Sequence, residues 1–183
     1  MKIDYKVVRD ELLRYPKILP TLIVGILVLV ASFILSMYSI PYTWPLAFFL
    51  LFTFFDVIGF SRLIAENERI VEPLITQNPE IALLLDRNTA AYRILQTSFH
   101  IIFLLMIFGM AGWKVALAAE LLHWFGACEL FYYWLVDHKL PENWDWVSWT
   151  VFGTLSDSPI ISNNQMITQS IIGIILCLIL VLI

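Results

Sequence analysis

Asp56, His100, Glu120, His123 and Glu129 stand in stretches too apolar to hold ionisable groups cheaply. At the centre of a membrane helix such a group costs roughly 2.5–3.5 kcal/mol on insertion scales, so each marks a reaction site, a proton path or a polar contact between helices. Glu120 and His123 are spaced Glu-x-x-His, which puts both on one helix face. That spacing is half of the motif of carboxylate-bridged di-iron bundles, which also need a second such pair and two more glutamates. Here there is one pair. Joined by His100 and Asp56 it forms a nitrogen–oxygen set suited to a transition metal, with His100, His123 and Glu120 as the ligands. Two histidines on antiparallel helices can instead hold a haem axially.

Without a metal, the same five residues are candidates for catalysis. A carboxylic acid in an apolar pocket can protonate a double bond or epoxide of a lipid or isoprenoid, and a histidine or second carboxylate can take a proton back. That is isomerase, hydratase or cyclase chemistry. The aromatic residues, 15% of the chain, would line such a pocket and steady a developing cation. Chains of Asp, Glu and His also make proton or ion pathways, although no paired repeat of the transporter kind is visible. Polar side chains also simply join helices, as in an accessory or scaffold subunit of a membrane complex.

The elements that must position these residues follow from composition. Of 183 residues, 60% are hydrophobic and 14% charged, against about 45–50% and about 25% in soluble domains. Mean hydropathy is +0.82. A soluble globular domain, a disordered tail and a nucleic-acid binder are excluded, and a net charge of −4 leaves no basic face for phosphates. The expected fold is all-α: a polytopic bundle in one domain, with the bilayer as its first partner.

A crossing needs about 20 mainly apolar residues. Five stretches meet this: 20–40, 44–63, 93–112, 114–137 and 166–183. Of the 11 Lys and Arg residues, all but Lys114 then fall on one side, which predicts a cell-membrane protein with a cytoplasmic N-terminus and the C-terminus outside. Residues 1–17 hold a short amphipathic helix, Ile3 to Arg14, for the inner surface. Its polar lead runs to Lys17 and no small-residue cleavage site follows, so the first crossing reads as a retained anchor. Segments 64–92 and 138–165 become cytoplasmic loops. The second of these carries Trp144, Trp146 and Trp149, read first as an interfacial belt and otherwise as a lid or lipid-entry surface. Cys128 and Cys177 lie in apolar stretches without CxxC spacing and form no disulfide framework.

Depth can be counted along these crossings. At 1.5 Å per residue from the turn near Trp113, Glu120 lies about 10 Å down, His123 about 15 Å, His100 about 20 Å and Glu129 about 24 Å. Asp56, counted from Trp44, lies about 18 Å down. Three helices thus bring Asp56, His100 and His123 to one level near mid-membrane. Arg93, Gln96 and His100 form one stripe, while Glu129 points about 120° away from His123 and toward another neighbour. A hydrophobic small molecule or lipid is the expected ligand, and a membrane-protein partner or a second copy can cover the bare last crossing.

Overall fold

The structure, a computed structural model, describes residues 16–59, 79–156 and 160–183. The expected amphipathic helix at Ile3 to Arg14 lies outside them. The described chain is a helical bundle: α1 (Ile18–Ser36), α2 (Trp44–Gly59), α3 (Pro79–Ala111), α4 (Trp113–Trp124), α5 (Ala127–Leu135), a short α6 (Val151–Leu155) and α7 (Asn163–Leu182). One two-residue antiparallel pair, β1 (Asn143–Trp144) with β2 (Ile161–Ser162), interrupts the helices.

Among the described residues, three helices are long and apolar enough to cross a membrane: α1, the Arg87–Ala111 part of α3, and α7. The pair α4 and α5 makes a fourth if its 60° bend is taken within one span. Of the expected second crossing, 44–63, the described part is α2, 16 residues or about 24 Å. It is the most enclosed helix, packed against α1, α3, α4 and α5. Trp44, Phe48 and Phe52, at i, i+4 spacing, are fully buried. A helix with protein on most sides need not match the bilayer on its own. By contrast, α1 exposes Leu27 and Ile34 and α7 exposes Ile171 and Leu178, apolar faces that only a lipid or protein neighbour would cover.

Element ends depart from the sequence reading for local reasons. The third helix is already formed at Pro79, well before Arg93, so the expected loop 64–92 is helical from Pro79 onward. The last helix starts at Asn163, not Met166, because Ser162 and Gln165 form a reciprocal capping box. The expected straight crossing 114–137 breaks at Phe125–Gly126. Gly126 has φ +74°, and an added Cβ would meet Met166 Cε at 2.4 Å. Only glycine adopts that backbone without penalty and lets α7 approach so closely.

At one end of the bundle Lys17 donates to the Trp134 carbonyl at 2.9 Å, lies over the Trp134 ring and pairs with Asp137. The start of α1 and the end of α5 are therefore on the same side.

Gly126→Ala should lower the melting temperature of the purified protein through a loss of about 1–3 kcal/mol, the cost of a left-handed non-glycine residue. Gly109→Ala, where nothing lies within 4 Å of the added Cβ, should be neutral or stabilising. Equal melting temperatures for the two variants would show that the bend does not depend on glycine.

Candidate functional site

On α4, Glu120 and His123 share a face and point at His100 on α3. His100 Nε2 lies 2.6 Å from Glu120 Oε2, and His123 Nδ1 lies 3.6 Å from Glu120 Oε1. One ligating atom from each of the three residues falls within 4.8 Å of the others. All three side chains are largely covered, and His123 Nδ1 is buried with no hydrogen-bond partner. The carboxylate therefore sits between two imidazoles, one of them tightly engaged.

Aromatic rings hold the imidazoles. Phe52 packs edge-on against both, at 4.9 Å from His100 and 5.1 Å from His123 between ring centroids. Trp149 stacks on His123 at 4.4 Å with planes only 17° apart. Such contacts fix ring planes and keep water away.

A cavity of about 300 Å³ opens beside these groups, and its walls include His100, His123, Asp56, Glu129, Tyr133 and Trp146. Asp56 joins the cavity but not the ligating group. Its carboxylate accepts hydrogen bonds from Tyr92 Oη and Gln96 Nε2, each at 2.6 Å, and Arg93 donates to Gln96 Oε1 at 2.9 Å. The equal depths counted from the sequence thus overstate the closeness of Asp56 to the histidines: its partners lie at least one turn before His100 on α3. Asp56 therefore stands outside the converging group of His100, Glu120 and His123 while lining the same cavity.

Glu129 is corrected in the opposite direction. An unbroken helix would turn it toward another neighbour, but the bend at Gly126 re-aims α5, and Glu129 lines the same cavity, with Trp146 as a hydrogen-bond partner. His100 and His123 stand edge to face with centroids 4.5 Å apart, a spacing that favours a single small ion over the axially held haem.

The segment 138–165 contributes more than a peripheral loop. Trp144 is fully buried with Val147, Ile161 and Met166, so it is core and not belt. Gln169 of α7, also fully buried, anchors the segment: its Oε1 accepts from the Phe152 N–H at 3.0 Å and its Nε2 donates to Thr150 Oγ1 at 3.2 Å. This anchor carries Trp149 to His123. Gln169 went unnoticed in the sequence, although a glutamine followed by serine in an otherwise aliphatic span is the available signal.

No protein family, no curated protein and no solved structure matches the chain.

Gln169→Leu should leave Thr150 Oγ1 and the Phe152 N–H without their partner, at a cost of about 1–3 kcal/mol for the groups left unmade. Hydrogen exchange of residues 150–155 should accelerate while that of α2 is unchanged. Unchanged exchange in both would show that the segment is held by its tryptophans alone.

Proposed function

We propose that this chain is a membrane enzyme whose reaction centre is a divalent transition-metal ion held by His100, Glu120 and His123, acting on a lipid-like small molecule. The observation that carries the reading is the convergence of these three groups beside the cavity that His100 and His123 line, while His123 Nδ1 is buried without a hydrogen bond, 3.6 Å from Glu120 Oε1. A buried polar atom without a hydrogen bond calls for an explanation, and a metal supplies one. Two histidines and a carboxylate are a catalytic zinc set, tetrahedral with the fourth position open. With bonds of about 2.0–2.1 Å, such an ion separates its ligating atoms by about 3.3 Å. One ligating atom from each residue lies within 4.8 Å of the other two, so the three have to close in by about an ångström or a little more at most to reach that spacing.

A bound ion would polarise a carbonyl or activate a water at neutral pH. The protein's own part is then clear. Asp56, oriented by Tyr92 and Gln96, and Glu129, beside Trp146, can accept a proton from the attacking water and return it to the leaving oxygen. Hydrolysis or hydration fits, since water is the only co-reactant. The 2.6 Å contact of His100 with Glu120 supports a second reading, a metal-free imidazole–carboxylate relay for isomerase- or cyclase-type acid–base chemistry on an isoprenoid.

For the membrane arrangement we propose five crossings, with α2 as the enclosed one, a cytoplasmic N-terminus and the C-terminus outside. The distribution of Lys and Arg supports the orientation. The Lys17–Asp137 pair supports the count, because five crossings bring the start of the first and the end of the fourth to one side.

Metal analysis of the detergent-purified, metal-reconstituted full chain should find about one ion per chain. His100→Ala, His123→Ala and Glu120→Gln should each lose most of it, and Asp56→Asn should keep it. Wild-type protein without bound metal overturns the metal reading in favour of the relay. For topology, Lys2→Cys should react with an impermeant thiol reagent only in inside-out vesicles and Ile183→Cys only in right-side-out ones. Labelling of both from the same side would overturn the odd crossing count.

A further inference from the structure

Trp149 is a wall of two spaces. One is the polar cavity at the histidines. The other is an apolar groove of about 280 Å³ lined by Trp124, Val151, Thr154 and Leu155 as well as Trp149. Leu155 and Trp124 are exposed there, 78% and 44%, so the groove opens to the bundle's exterior beside the end of α4. We infer that this groove takes the alkyl chain of a single-chain lipid whose uncharged polar end, an amide, ester or hydroxyl, reaches past the edge of Trp149 to the cluster of His100, Glu120 and His123.

Two observations lead to this occupant. The first is continuity. The polar cavity has one aromatic wall in common with an apolar, outward-opening groove, and a molecule filling both is apolar at one end and polar at the other. Trp124 stands at the bend, midway along the α4–α5 pair. On the five-crossing arrangement proposed above, the Trp124 end of the groove lies at the depth of acyl chains, and a single alkyl chain can enter from that end.

The second observation is charge. Among the described residues, the carboxylates at the cavity or the histidine cluster are Asp56, Glu120 and Glu129, and Arg93 is the guanidinium that lines the cavity. A divalent ion at the histidines and Arg93 together balance those three formal charges. A charged head would then be a buried charge without a counter-ion, which is costly. A neutral head finds hydrogen-bonding groups on the same walls: Thr97, Tyr132 and Tyr133 line the cavity. The inference about the head rests on the metal reading; the inference about the chain does not.

The test uses the full-length wild-type protein in nanodiscs and a photoreactive probe, an N-alkyl acetamide of about 14 carbons with a diazirine at the chain terminus. Peptide mapping should find label on Val151, Thr154 or Leu155. Unlabelled tetradecyl acetamide at about ten times its Kd should reduce that label roughly tenfold by mass action. Label on the outward residues Ile23 and Leu27 of α1 should persist, because lipid contact there is not a site. Tetradecylammonium and tetradecyl phosphate should compete poorly. Groove labelling that fails to saturate, or that behaves like the α1 label, overturns the chain site. Equal competition by the charged probes overturns the neutral head. Saturable groove labelling in protein that binds no metal overturns the metal reading and supports the chain site. Bound metal with unsaturable labelling supports the metal reading and overturns the chain site.

Discussion

The left-handed backbone at Gly126 is the constraint on which the site depends. Up to Trp124 the α4 helix runs as its sequence predicts, with Ala118 and Ala119 fully buried. At Phe125–Gly126 the ladder ends: the Gly126 N–H bonds the His123 carbonyl at 2.8 Å, a tighter turn than α-helix, and the chain departs at 60°. Three consequences follow from this one residue. The α5 helix swings so that Glu129 lines the cavity. Met166 seats against the bare Cα, which draws the first turns of α7 inward. Ser170, one turn along, donates to the Phe125 carbonyl at 3.0 Å and satisfies a backbone group that the break frees. A break in a membrane helix survives only where protein groups re-satisfy the backbone, and here α7 provides them.

The second layer of organisation is the satisfaction of polar groups in an apolar bundle. Individual hydrogen bonds inside membranes average only ~0.6 kcal/mol, so no single one holds the fold. Their value is in position. The Asp56 carboxylate takes two bonds from α3 and thereby fixes the register of α2 against it. Gln169 spends both ends of its amide on the 150–152 backbone and hydroxyl, and so holds a non-helical segment against α7 within the bundle. His100 and Glu120 join α3 to α4. What these bonds leave over is informative: His123 Nδ1 is buried without a hydrogen bond, 3.6 Å from Glu120 Oε1.

How much of this could be read from the residues depends on the range of the physics involved. Apolar length and i, i+3 spacing are local, so the long spans at 18–36 and 163–182, the Arg93–Gln96–His100 stripe and the Glu120–His123 face were legible. The meeting of that stripe and that face was legible only as an economy, since each buried charge needs a partner. The fate of Glu129 was not legible, because helical-wheel angles presuppose an unbroken helix and one glycine resets them. Asp56 lines the cavity with the histidines but bonds Tyr92 and Gln96, a lateral choice that depth along a helix cannot give. The tryptophans misled in a different way. Trp144 and Trp149 carry the same signal as an interfacial belt, and only the Gln169 anchor, far along the chain, turns that segment inward.

Trp149 then couples access to chemistry. Its indole lies nearly parallel to the His123 ring, so it shares in holding that imidazole's plane and hence the direction of Nδ1. The same indole separates the polar cavity from the groove beside Trp124. A molecule entering from the groove has to pass the edge of this ring, and any tilt that admits it also loosens the stack on His123. Phe52, packed edge-on from the enclosed α2, holds the imidazole from another side and limits how far it can follow. The imidazole is therefore held by Phe52 on one side and by the stacked Trp149 on another, so its plane depends on both the enclosed helix and the Gln169-anchored segment.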